Sequence, residues 1–198
     1  MSRIAIIGWG SLIWDLEVLA PHVSGDWRME AGPELAMEFA RVSPKRKRAL
    51  AVCLEAEHGT ACQTNVIQSK RSDLADAVAD LAARERAPIE RIGVVCRVSK
   101  HRFGADPRIS AAVEDWCTVE DWDGAVWTDL QPNFTDVLGY SFTVERAISY
   151  LQSLEGESLD EAVRYIELAP KATDTALRQA LEQQTWWIDE AKRLGLRK

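Results

Sequence analysis

The sequence predicts an α+β fold, with strands first and helices around or after them. Three observations predict it: apolar or alternating runs fill the N-terminal half, helical spacing fills the C-terminal third, and no internal repeat or low-complexity linker divides the 198 residues. A single domain over residues 1–198 is therefore expected. Folding at this length removes roughly 70% of the unfolded surface from water, enough for a core without disulfides or a structural metal.

Residues 3–8 are an apolar run ending in Gly8, the pattern of a strand buried on both faces. Residues 36–42, 49–55 and 60–68 read as further strands; in the first, Met37, Phe39 and Arg41 alternate against Ala36, Glu38, Ala40 and Val42. Ser-Pro and His-Gly mark the connections. A helix opens at Ser72, with Asp73 as the acid in its first turn, and runs to about Arg86 before Pro88 stops it. Residues 91–98 make another strand, with Ile92, Val94, Cys96 and Val98 on one face. From 99 to 142 the chain is rich in Asp and Trp, follows no period, and reads as loops and short strands. Helices then cover 143–154, 158–168 behind the capping box Ser158-x-x-Glu161, and 173–194 with Gly195 as C-cap. Leu177, Leu181, Gln184, Ile188, Ala191 and Leu194 form the stripe of the last one.

With 24 bases against 31 acids the net charge is −7, the wrong sign for a protein that gains affinity by neutralising phosphates, so no nucleic-acid partner is expected. The basic run Lys45-Arg46-Lys47-Arg48 reads as a solvated connection between strands, with a phosphate-binding patch as the alternative. No run approaches the ~18 to 20 apolar residues of a membrane span, and Met1-Ser2-Arg3 enters the first strand without a signal-peptide layout. A cytoplasmic protein with no membrane partner is expected. Cys53, Cys62, Cys96 and Cys117 include no CxxC pair and read as reduced, buried thiols. His58 and Cys62 are four apart, with only His22 and His101 as further histidines, so no metal site is expected.

The chemistry concentrates after the first strand. Gly8-x-Gly10 begins like a dinucleotide fingerprint, but the third glycine position holds Ile13, and the segment to Pro21 is too short for a crossover helix. A Rossmann-type protein is therefore the weaker alternative. Two glycines around a bulky residue, followed by serine, let successive backbone N–H groups converge on a carboxylate or an oxyanion. A tight turn requiring positive φ fits the same spacing equally well.

Gly8-Trp9-Gly10-Ser11-Leu12-Ile13-Trp14 resembles the YGSL motif after the first strand of γ-glutamylcyclotransferase-like proteins, closest to their glutathione-specific, ChaC-like branch. Asp80-Leu81-Ala82-Ala83-Arg84-Glu85-Arg86, followed by a strand, is similar to the helix-end Arg-Glu segment that holds the family's catalytic glutamate. Gly139-Tyr140-Ser141 with Tyr150-Leu151 faintly resembles the motif before its late helix. Trp9 stands in place of the motif's tyrosine, Asp80-Leu81 reverses the usual order, no tyrosine follows Glu85 closely, and the Trp-rich acidic stretch 113–130 has no counterpart. The resemblance implies a mixed β-barrel with flanking helices and a helical C-terminal third. It also implies a cofactor-free enzyme, of acyltransferase or lyase type, that cyclises a small γ-glutamyl compound to 5-oxoproline. Glu85 would be its general base and acid, and the bend Gly8, Trp9, Gly10, Ser11 and Leu12 would hold the substrate. A non-catalytic binding member of the same fold, or an amine-transfer relative, is the first alternative, and a homodimer is the assembly the reading allows.

The residues make their own case for Glu85. Leu74, Val78 and Leu81 recur at helical spacing and position 85 continues the stripe, so its carboxylate is expected to face inward. Burial and the negative helix terminus both disfavour the ionised form, the tuning a general base and acid needs. Arg84, Arg86 and Arg91 are near enough to oppose this, and a helix-end glutamate paired to one of them is the simpler alternative. Arg41, alternating with Met37 and Phe39, is a candidate partner for a substrate carboxylate, against a surface ion pair. Trp9, Trp14, Trp116, Trp122 and Trp127 are candidates to line a ligand cleft, against ordinary packing.

Overall fold

The computed structural model describes residues 2–198. In chain order the elements are β1 (Ile4–Gly8), 3-10 turns at Ser11–Ile13 and Glu17–His22, β2 (Val23–Arg28), β3 (Glu34–Val42), a 3-10 turn at Pro44–Arg46, β4 (Leu50–Leu54), β5 (Thr60–Gln63) and β6 (Asn65–Ser69). Next come α1 (Leu74–Glu85), a 3-10 turn at Ile89–Arg91, β7 (Ile92–Cys96), β8 (His101–Phe103), α2 (Pro107–Val119) and β9 (Gly124–Thr128). The chain ends with α3 (Phe134–Leu138), α4 (Val144–Gln152), α5 (Gly156–Leu168), α6 (Ala176–Leu181) and α7 (Thr185–Arg193). The α+β class is as the sequence predicts. No helix among the described residues is long and apolar enough to cross a membrane.

The elements gather into two compact units, residues up to Leu35 with Gln63–Leu130, and Ala36–Cys62 with Gln131–Lys198. The first is built on a six-stranded sheet of order β2-β6-β1-β9-β7-β8. β1 lies inside it, antiparallel to β6 with Ile6 opposite Ile67, and parallel to β9 with Ile6 opposite Val126. Strands on both sides explain why β1 is buried throughout. The sheet is mixed but open, not the closed barrel that the family resemblance implies. Its edges show why: β2 shifts register after Ser24, where Gly25 has φ 73°, and β8 has three residues, all exposed.

Helix α1 covers one face of this sheet. Ala77, Leu81 and Ala82 pack with Ile4, Ile6, Ile92 and Val126, and a buried Leu or Ile in such a cluster stabilises by about 2 kcal/mol. Asp73, rather than Ser72, caps the helix by accepting the Ala75 N–H at 2.7 Å. Helix α2 and strand β9 fall in the stretch that reads as irregular. α2 has Asp106 as its cap, accepting the Arg108 N–H at 2.7 Å, and Pro107 at its first position. Trp127 on β9 is wholly buried, and its indole lies against Gly93, where a Cβ would stand 2.0 Å from the ring.

The second unit pairs a three-stranded sheet, order β4-β3-β5, with α3 to α7. The single strand expected over 60–68 is broken at Thr64, so that β5 and β6 serve different sheets. Thr64 is fully buried, and its hydroxyl donates to the Pro33 carbonyl at 2.6 Å while its own carbonyl accepts the Gly32 N–H at 3.0 Å. The alternation expected on β3 is absent, because Met37, Glu38, Phe39 and Ala40 are all buried. Helix α5 begins at Gly156 behind Glu155, so Ser158 lies inside it and forms no cap. The long helix expected over 173–194 is two helices. The break at 182–184 moves the buried face from Leu177 and Leu181 to Trp187 and Ala191, which one continuous stripe through Gln184 would not do. Gly195, at φ 72°, terminates α7 as expected.

Glu38 carries no exposed surface. It accepts the Phe39 N–H at 2.7 Å and the Leu177 N–H at 3.3 Å, the latter from the first turn of α6. Burial raises its carboxyl above the usual range, opposed by those bonds and by Thr175. The folded chain thus keeps this proton to higher pH than the unfolded chain. The contribution to stability is fully present below the unfolded value and is lost as pH rises through the folded one. The unfolding free energy of the wild type relative to Glu38→Gln is therefore expected to fall as pH is raised from about 4.5 toward neutrality; a pH-independent difference in urea titrations would contradict this. Gly93→Ala is expected to cost about 3 kcal/mol, because neither the sheet nor the buried indole has room to yield. An unchanged urea midpoint would refute the packing described here.

Candidate active site

The bend after β1 is built by packing and by carbonyl hydrogen bonds. The Gly8 carbonyl accepts Asn65 Nδ2 at 3.2 Å, and a Cβ on Gly8 would stand 2.8 Å from the Trp27 ring and 3.1 Å from Ile13. Close packing thus requires glycine at position 8. Gly10 has φ −133°, so the bend does not use the left-handed region. The chain curls instead into a 3-10 turn, with the Gly10 carbonyl accepting from Ile13 at 3.0 Å and the Ser11 carbonyl from Asp15 at 3.0 Å. The N–H groups of Gly10, Ser11 and Leu12 head that turn and donate to no other group among the described residues. Trp9, Ser11 and Leu12 are buried. No α-helix follows β1, so the bend lacks the helix N-terminus on which a Rossmann fold seats a pyrophosphate.

Opposite this bend lies the last turn of α1. The helix ends at Arg86, whose left-handed φ of 50° lets its N–H reach the Ala82 and Ala83 carbonyls. Arg84 is 6% exposed, and its guanidinium makes the connection to the bend. Nε and Nη2 donate to the Asp15 carbonyl at 3.2 and 2.6 Å, Nη2 also approaches Ser11 Oγ at 3.4 Å, and Nη1 donates to Glu85 Oε1 at 2.9 Å. The Glu85 side chain is 15% exposed. A buried cation is strongly unfavourable without an anion and hydrogen-bond acceptors, and Glu85, Ser11 and the Asp15 carbonyl supply them. The acid and the bend are therefore members of one hydrogen-bonded group. Of the neighbouring arginines, Arg86 turns outward to Glu17 at 2.8 Å.

Arg84 was legible as a basic neighbour of Glu85 but not as the connector. A stripe drawn through Ala77, Leu81 and position 84 has the same helical spacing as the one through Leu74, Val78, Leu81 and 85, and it is the former that is buried. Arg41 belongs to the second unit, where Nη1 donates to the Gln131 carbonyl at 2.5 Å. Within the basic run, Arg46 pairs with Glu161 at 2.8 Å and lies 4.3 Å over the Tyr165 ring, while Lys47 pairs with Glu157. Of the five tryptophans considered for a cleft, only Trp14 is exposed, at 38%. Trp9, Trp122 and Trp127 are core residues, and Trp116 stacks on Trp122 at 6.0 Å with its N–H on the Ala31 carbonyl. None of the four cysteines forms a disulfide, and burial pushes the thiols of Cys53 and Cys117 up to about 12, which makes them inert at neutral pH. A cavity of about 290 Å³ lined by Ser72, Asp73, Leu74, Cys96 and Asp123 opens at the N-terminal end of α1, roughly 18 Å along the helix from Glu85.

No protein-family model, curated protein or solved structure matches the chain. Gly8→Ala is expected to lower stability by about 2 kcal/mol, read from the urea midpoint, because the new methyl must displace the Trp27 ring that backs the bend. A neutral effect would show that the bend is not held by that contact.

Proposed function

We propose that the chain is a γ-glutamylcyclotransferase-like enzyme that converts a small γ-glutamyl compound to 5-oxoproline and a free amine. One observation carries the reading: Glu85, from the last turn of α1, and Ser11, from the bend after β1, are joined through the Arg84 guanidinium. In this reaction Glu85 takes a proton from the donor's α-amino group. The amine nitrogen attacks the donor's own side-chain carbonyl, forming a C–N bond and closing a five-membered ring. The tetrahedral intermediate collapses as the bond to the leaving amine breaks, and Glu85 returns the proton to that amine. Atoms balance without water or a cofactor.

The N–H groups of Gly10, Ser11 and Leu12 are of the right kind to stabilise the oxyanion or to hold the donor's carboxylate. One such donor is worth about 3 to 4 kcal/mol of barrier in a water-excluded site. An intramolecular attack needs little further machinery, since holding the donor in its folded conformation supplies the orientation. A cytoplasmic location and the cyclotransferase fold itself belong to the same proposal. The first alternative is a binding protein that holds γ-glutamyl compounds without turning them over, and the Arg84–Glu85 pair favours it to the extent that such pairs are purely structural.

Release of 5-oxoproline from glutathione and from γ-glutamyl amino acids tests the proposal. The wild type is expected to turn over, and Glu85→Gln to lose at least about 100-fold in kcat while keeping its folded spectrum. Turnover unchanged by that substitution, or saturable binding of the donors without turnover, would overturn it.

A further inference from the structure

We infer that Arg84 is the positioning residue of this site, the group that holds the Glu85 carboxylate and the bend after β1 in one frame. The inference rests on the proposed function and adds to it a role for a residue outside the acid–base chemistry. Position 84 lies on the buried stripe with Ala77 and Leu81, where Leu or Met would extend the apolar core, yet the residue is a cation. Replacing buried ion pairs by apolar groups of similar volume is often neutral or stabilising, so stability alone does not call for a guanidinium here.

The planar fork spans three points from two distant parts of the chain: the Asp15 carbonyl by Nε and Nη2, Ser11 Oγ by Nη2, and Glu85 Oε1 by Nη1. The Asp15 N–H in turn donates to the Ser11 carbonyl at 3.0 Å, so the carbonyl gripped by Arg84 belongs to the same turn as the Ser11 and Leu12 amides. A shift of the helix end is thereby transmitted to the bend through one planar guanidinium. A lysine, with a single ammonium on a flexible stem, retains the charge opposite Glu85 but cannot grip all three points. Misplacement of a reacting group by about 1 Å costs on the order of 100-fold in rate.

Steady-state kinetics of 5-oxoproline release on the full chain separates the possibilities, with Arg84→Lys, Arg84→Gln and Glu85→Gln measured beside the wild type and rates normalised to folded protein. Arg84→Lys is expected to lower kcat about 10- to 100-fold with KM within about twofold, because it preserves the charge and loses only the geometry. Arg84→Gln is expected to lower kcat further, and Arg84→Lys keeps the test decisive should Arg84→Gln fail to fold. Wild-type kcat in Arg84→Lys, or a loss expressed entirely in KM, would overturn the positioning role while Glu85→Gln still abolished turnover and the proposed function stood. Absence of turnover in the wild type, or retention of it in Glu85→Gln, would overturn the proposed function and this inference with it.

Discussion

The cost of burying the Arg84 guanidinium is the constraint on which the first unit's chemistry depends. An isolated charge of this kind in a protein interior costs several kcal/mol, and the fold answers with an anion from the same helix turn and oxygen acceptors from the bend after β1. Three requirements follow from that single group. Helix α1 must end where Glu85 can reach Nη1, the bend must present the Asp15 carbonyl inward, and the sheet must hold β1 and α1 at a fixed separation.

The sheet meets the last requirement by placing β1 between β6 and β9, so the bend leaves from its interior rather than from an edge. Helix α1 packs on β1, β7 and β9 through Ala77, Leu81 and Ala82, which fixes the approach of its C-terminal turn. The turn itself is closed by Arg86 in a left-handed conformation, a position at which a non-glycine residue typically costs 1 to 2 kcal/mol or less when the closing hydrogen bonds are made. Packing, capping and ion pairing thus converge on the same few residues, and the proposed chemistry draws on all three.

Much of this was legible in the sequence. The strand over 3–8, the two glycines and a helix between Ser72 and Arg86 follow from apolar periodicity and local capping alone, although the cap is Asp73 and the buried stripe runs through Arg84. The stretch 99–142 was not, although Asp106-Pro107 is an ordinary helix start, because the following Trp and Asp residues blur the stripe of Ile109, Val113 and Cys117. β9 escaped for a different reason: Gly124 to Trp127 are all buried and show no alternation, and only the partners β1 and β7 define the segment as a strand. The burial of Glu38 was not legible either, because an alternating pattern implies two unlike faces and β3 is buried on both from Met37 to Ala40. Arg84 escaped because helical spacing admits two stripes through Leu81, and hydrophobicity favours the one without a cation.

The central claim is that Arg84 and Glu85 are energetically coupled inside the protein. A double-mutant cycle on unfolding free energy, using Arg84→Met, Glu85→Ala and the double variant, measures that coupling directly. Each single change removes one member of the pair and the double variant removes both, so the double variant is expected to be less destabilised than the sum of the two by about 2 kcal/mol. Additivity to within a few tenths of a kcal/mol would contradict the account, reducing the pair to a chance proximity at the end of a helix.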